Sequence, residues 1–161
     1  MPKAKQGARD GRGGPPMILG WREWVALPDL GIHAIRAKLD TGARSSALHV
    51  ADIEPFRRSG AEWVRFTIVQ DTRVRRPPIV ARARVEDERV VRDSGGHEHL
   101  RIVIRTTLDV AGWRWPIDLT LASRGPMSFR MLLGRQGLSG RAVLDPAHSY
   151  LAGRPATLRR K

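Results

Sequence analysis

From Ile32 to Asp40 the side chains alternate. Ala34, Arg36 and Lys38 stand on one side and Ile35, Ala37 and Leu39 on the other, a period of two that predicts a strand. Ile18 to Leu27 reads as the strand before it, and Pro28-Asp29-Leu30-Gly31 as the turn between them. Ser46 to Val50 is predicted as a short strand and Pro55 to Gly60 as a loop. Glu62 to Val69 alternates again, and Gln70 to Pro78 is a basic loop carrying Arg73, Arg75 and Arg76. Two strands, Ile79 to Val85 and Arg89 to Arg92, are expected around Glu86-Asp87-Glu88, and Asp93-Ser94-Gly95-Gly96 signals a turn. Leu100 to Val110 and Trp113 to Ala122, joined by Ala111-Gly112, form the clearest hairpin. After a Gly-Pro loop at Ser123 to Ser128, Phe129 to Leu133 predicts a short strand ending at Gly134-Arg135. One helical turn is expected in Gln136 to Gly140, a strand in Arg141 to Leu144, and an edge pairing at Ser149-Tyr150-Leu151. The tryptophans sit mostly in apolar strand patterns and are expected in the core. No stretch sustains a helical period, so the pattern predicts an all-β, barrel-like domain.

The chain has 161 residues, enough for one domain with its own core. It has no cysteine, which excludes disulfides, a thiol nucleophile and thiolate metal sites. No apolar run approaches ~18 residues, and the basic N-terminus lacks an apolar signal region, so no membrane contact and a cytoplasmic location are expected. The net charge is +13. Residues 1–16, rich in Gly, Pro and charge, carry Lys3, Lys5, Arg9 and Arg12 against Asp10 and are read as a disordered basic tail. Residues 152–161 carry Arg154, Arg159, Arg160 and Lys161 and form a second basic tail around a 17–151 domain. Such a field favours polyanions. The body lacks the aromatic stripe of an RNA-stacking sheet, so nucleic acid is expected only at the tails. The rival reading is a non-catalytic basic β-barrel bound to RNA or ribosome, marked by steep salt dependence and indifference to Asp40.

Candidate chemistry centres on Asp40-Thr41-Gly42-Ala43, between the alternating strand and the next apolar run. An Asp set at a strand end beside a Gly turn can be held in one geometry by backbone N–H groups, as suits a carboxylate that activates water. An Asx turn would use the same residues. The stretch resembles the active-site loop of retropepsin-type aspartic proteases. Met131-Leu132-Leu133-Gly134-Arg135 resembles the second motif of that family, and the hairpin from Ile102 to Leu121 stands between the two as the family has it. Gly20-Trp21-Arg22-Glu23-Trp24-Val25, Ser46-Ala47-Leu48-His49, Asp93-Ser94-Gly95-Gly96-His97, Trp115-Pro116-Ile117, Val143-Leu144-Asp145-Pro146 and Ser149-Tyr150-Leu151 are similar to one bacterial branch. That branch is labelled ATP-dependent zinc protease or retropepsin-like endopeptidase, and is associated with a ligase that adds glutamates to a ribosomal protein.

The resemblance implies a retropepsin-like closed barrel with at most one short helix, and an aspartic endopeptidase; the residues themselves give little support to the ATP and zinc of that label, so no cofactor and no metal are expected. Asp40, Thr41 and Gly42 would be catalytic. Ala43, Arg44, Gly95 and Gly96 would meet substrate, the last two in a flap, and His49, Leu133, Gly134 and Arg135 would support the loop. Two carboxylates must share a proton in this chemistry. The second would come from Asp40 of a homodimer partner, or else from Asp93. Arg44 stands where the family commonly has an acid that pairs with the arginine of the second motif. With the ligase association, it implies an acidic partner, a glutamate-rich peptide or glutamylated ribosomal-protein tail. No phosphate loop and no H-E-x-x-H is present. His97-Glu98-His99 could offer two imidazoles to a metal, and metal-assisted hydrolysis at Asp40, His49 and His97 is a third reading.

Overall fold

The structure, a computed structural model, describes residues 10, 14–70, 76–92, 95–123 and 128–154. Arg73, Arg75, Asp93, Ser94, most of the Gly-Pro loop and most of both expected tails lie outside the described residues.

Eleven strands, one short α-helix and one 3-10 turn are present among them: β1 (Met17–Gly20), β2 (Arg22–Leu27), the 3-10 turn (Pro28–Leu30), β3 (Ile32–Asp40), β4 (Ser46–His49), β5 (Ala51–Arg58), β6 (Ala61–Ile68), β7 (Ile79–Arg92), β8 (Glu98–Val110), β9 (Trp113–Ala122), β10 (Met131–Gly134), α1 (Arg135–Leu138) and β11 (Ala142–Asp145). The sheet runs β2-β3-β10-β4-β9-β8-β7-β6-β5, and a pairing of Ala26 on β2 with Asp109 on β8 closes its first six strands into a barrel. β7, β6 and β5 continue the sheet beyond the barrel, and β1 pairs with β11 in parallel. The all-β expectation, with its single helical turn, holds.

Alternation fills the barrel. On β3, Ile35, Ala37 and Leu39 point inward, and on β9 Trp115, Ile117, Leu119 and Leu121 do; none is more than 5% exposed. They meet Leu48, Met131, Leu133, Ile104 and Leu108 in one cluster. The β8–β9 hairpin turns at Ala111 and Gly112, whose φ values of 54° and 88° are what a two-residue hairpin loop needs.

Four local expectations are corrected. Ile18 to Leu27 is two strands, because at Gly20 the backbone passes against His148. A Cβ there would overlap the His148 carbonyl oxygen, which also accepts from Trp21 N–H at 3.0 Å. Pro55 to Arg58 belongs to β5, and only Ser59-Gly60 turns; β5 is the outermost strand of the sheet, where a proline's missing N–H costs nothing. Ile79 to Arg92 is a single strand of 14 residues, with a register shift between Val85 and Asp87 that absorbs the acidic triplet. Ser149-Tyr150-Leu151 forms no strand; Tyr150 lies at φ 56° and donates its N–H to Arg22 O at 2.9 Å. The tryptophan expectation holds for Trp24 and Trp115, which are buried, whereas Trp21, Trp63 and Trp113 are partly exposed.

Candidate active site

β3 and β10 run side by side in parallel, with Leu39 opposite Leu133 and Asp40 opposite Gly134. Apolar patterning thus carries both motifs to the same end of the barrel. β10 also pairs with β4, the strand leaving the Asp40 loop, so the loop straddles the end of β10.

Asp40 is half-buried at the end of β3. Its Oδ1 accepts the Gly42 N–H at 2.9 Å, and its carbonyl accepts the Ala43 N–H at 3.2 Å. The carboxylate is oriented by its own turn, as the sequence suggested. The rest of the loop is held by the second motif. Arg135 N–H donates to Ala43 O at 2.7 Å, Gln136 N–H to Arg44 O at 3.0 Å, and the Arg135 guanidinium to Thr41 O at 2.9 Å. Gly134 is required by contact: a Cβ there would overlap the Ser45 carbonyl. Its N–H donates to the buried Ser46 Oγ at 3.0 Å. Below, Gly137 sits against Leu133 and Ser46, and its carbonyl accepts from Trp115 Nε1 at 2.8 Å.

The carboxylate opens onto a cleft of about 520 Å³ lined by Trp21, Leu39, Thr41, Leu138, Leu144 and Pro146, among others. Leu39 N–H donates to Trp21 O at 2.8 Å, which fixes that wall one residue before Asp40. Arg44 is exposed on the loop, beside the backbone that Arg135 and Gln136 hold.

Asp40, Thr41, Gly42, Ala43, Arg44, Leu133, Gly134 and Arg135 are therefore gathered in one place. Gly95 and Gly96 are exposed beyond the end of β7, Gly96 at φ 81°, and do not line the cleft. His49 does not pin the loop through Nδ1, which is buried and without a hydrogen-bond partner among the described residues. Burial, and then the positive charge of Arg130, hold its pKa below the ordinary value. The loop is secured from β4 by Ser46 instead. No group of three or more His, Asp and Glu side chains among the described residues is arranged to hold a metal ion. Of the described residues, no helix is long and apolar enough to cross a membrane.

Two contributors escaped the sequence reading. Ser46 is expected only as the first residue of a short strand, and nothing in its pattern marks its hydroxyl as the acceptor for Gly134 N–H. Glu23 is fully buried, and its carboxylate accepts three backbone N–H groups: Gly20 at 2.6 Å, Leu151 at 3.0 Å and Ala152 at 2.9 Å. It ties the segment after β11 to the turn that carries Trp21. The available signal was a lone acid inside an apolar strand, between two tryptophans.

A family model described as RimB-like, retropepsin-like aspartic endopeptidase RimB, matches residues 18–155. The chain is 38% identical over 141 residues to a Shewanella pealeana protein and 44% identical over 131 residues to a Desulfotalea psychrophila protein, each named probable alpha-L-glutamate ligase. These alignments cover 88% and 81% of this chain but 31% and 28% of the relatives, so the chain spans under a third of their length. A crystal structure of a Legionella pneumophila protein of unknown function has a similar fold, with a TM-score of 0.71 at 24% identity, covering 86% of this chain and 99% of that one.

Proposed function

Because the chain belongs to the RimB-like family of retropepsin-like aspartic endopeptidases, we propose that it is a peptidase in which Asp40 activates water against an acidic, glutamate-rich peptide. One observation carries the reading. Asp40 is presented at a cleft with one oxygen anchored by Gly42 N–H, on a loop clamped from beneath by the Gly134-Arg135 turn. A fixed carboxylate at a cleft mouth is what water activation requires.

The reaction needs a second carboxylate. A two-fold partner supplies it by bringing its own Asp40 across the cleft, so that one carboxyl holds the shared proton and its mate takes one from water. The protonated carboxyl then donates to the carbonyl oxygen as water adds. The names of the relatives support the substrate class: an activity that adds glutamate creates the tail that this one would trim. Arg44 beside the loop favours the same charge.

The test is release of fragments from a peptide ending in several glutamates, by the parent protein and by Asp40→Asn, with sedimentation to read the oligomeric state. Equal cleavage by both proteins would remove the proposal. Cleavage by a strict monomer would remove the shared pair of Asp40 residues.

A further inference from the structure

The outward face of β3 leads to Asp40. Arg36, Lys38 and Asp40 share it, and the intervening Ala37 and Leu39 are buried beneath. Steps of two residues on a strand are about 6.6 Å, the same as between side chains on one side of an extended peptide. Both edges of β3 are already paired, to β2 and to β10, so a ligand here lies across the side chains and cannot add a strand.

The neighbours make this face cationic and hold it in place. Arg22 on β2 stands opposite Lys38 in the register. Like charges directly opposed on one sheet face are destabilising, which an anion lying between them reverses. The Arg22 guanidinium lies 4.6 Å from the ring centre of Trp21, the residue that walls the Asp40 cleft. Trp21 meets Phe129 edge-on at 6.0 Å, and the Arg36 guanidinium lies 5.4 Å over Phe129. Aromatic faces thus restrict both arginines, reducing the entropy lost when they bind. The track is closed at Ala34, which Trp24 and Tyr150, stacked at 6.3 Å, bury.

We propose that Lys38, Arg36 and Arg22 form a subsite for the acidic side chains of an extended peptide on one side of the scissile bond. This inference rests on the peptidase reading of Asp40. Lys38 takes the carboxylate nearest the bond and Arg36 the next on the same side, with Arg22 flanking Lys38. The subsite ends at the Trp24–Tyr150 wall, so it holds two acidic side chains, on alternate residues of the peptide.

The experiment measures binding apart from turnover. Fluorescent hexaglutamate and hexaglutamine are titrated against the 161-residue chain carrying Asp40→Asn. The same is done with Arg36→Gln and Lys38→Gln added, and with Arg82→Gln and Arg84→Gln added as a remote pair of equal charge on the exposed side of β7. Loss of the site pair is expected to weaken hexaglutamate binding about tenfold or more, and loss of the remote pair by less than about twofold. In the protein with Asp40 intact, the site pair should raise KM for the acidic peptide far more than it lowers kcat. Should the double variant fail to fold, Lys38→Glu, at an exposed position, carries the same test. Equal weakening by both pairs, or no binding of hexaglutamate, overturns the subsite. Acidic-peptide hydrolysis that is indifferent to the site pair also overturns it and leaves the peptidase standing. Binding sensitive to the site pair, without any hydrolysis, sinks the peptidase and keeps the subsite.

Discussion

Two carboxylates lie on neighbouring strands, and the chain treats them in opposite ways. Glu23 on β2 is fully buried, and both its oxygens accept backbone N–H groups from segments distant in sequence. Asp40 on β3 is half-buried at a cleft, with one oxygen accepting a single N–H from its own turn. A buried carboxylate is tolerable only when it is hydrogen-bonded, and one whose two oxygens are both held by backbone N–H groups is committed to them. A carboxylate with one oxygen anchored is oriented and still able to take a proton. The difference separates a structural acid from a candidate catalytic one on geometry alone.

Exchange of each acid for its amide tests that separation most severely. Asp40→Asn should lower turnover of the acidic peptide by about 10²–10⁴-fold, the range for removal of a positioned acid–base group. Its unfolding free energy should move by less than about 1 kcal/mol, since the site is at a surface loop. Glu23→Gln should do the reverse. An amide would turn an N–H₂ toward one of three backbone donors, at a stability cost of about 3 kcal/mol or more, read by urea titration. A Glu23→Gln protein as stable as the parent would erase the distinction.

Gly134→Ala sharpens the comparison from the second motif. The added methyl would press on the Ser45 carbonyl, so the Asp40 loop must shift. Overpacking of this kind costs about 1–3 kcal/mol, and turnover should fall as the loop moves, while Glu23 and its three bonds stay in place. A crystal structure with the Asp40 loop unmoved would contradict the clamp.

The smallest effect is expected at His49, on the far side of the loop. Its pKa is lowered, so the folded protein favours the neutral ring and the unfolded chain binds more protons near and below pH 6.5. Stability therefore rises with pH through that window and is complete above it; acid removes it. His49→Gln should flatten that part of the stability–pH curve. An unchanged slope would show that the burial of the ring has no weight in folding.

Much of the barrel was legible because a strand buried on one side writes its period into the sequence. Ile35, Ala37 and Leu39, and the β8–β9 hairpin with its Ala111-Gly112 turn, needed no tertiary information. The misread elements share a cause: the deciding partner was remote. Pro55 argued for a loop until β5 proved to be the sheet's outermost strand, and Glu86-Asp87-Glu88 argued for a break until β8 accommodated it with a register shift.

The sequence by itself determined that the chain is all-β, that Asp40 sits in a tight turn at a strand end, and that a second motif follows a long hairpin. These are local matters of side-chain period and turn composition, which neighbours along the chain decide. Only the tertiary structure decided the register that sets Gly134 opposite Asp40, the bonds by which Arg135 holds the loop, the part played by Ser46, that Arg22 faces Lys38, and that Glu23 is sealed by residues 128 and 129 positions away. Register and close packing join segments with no local trace of one another, since a hydrogen bond depends on distance in space and not on separation along the chain.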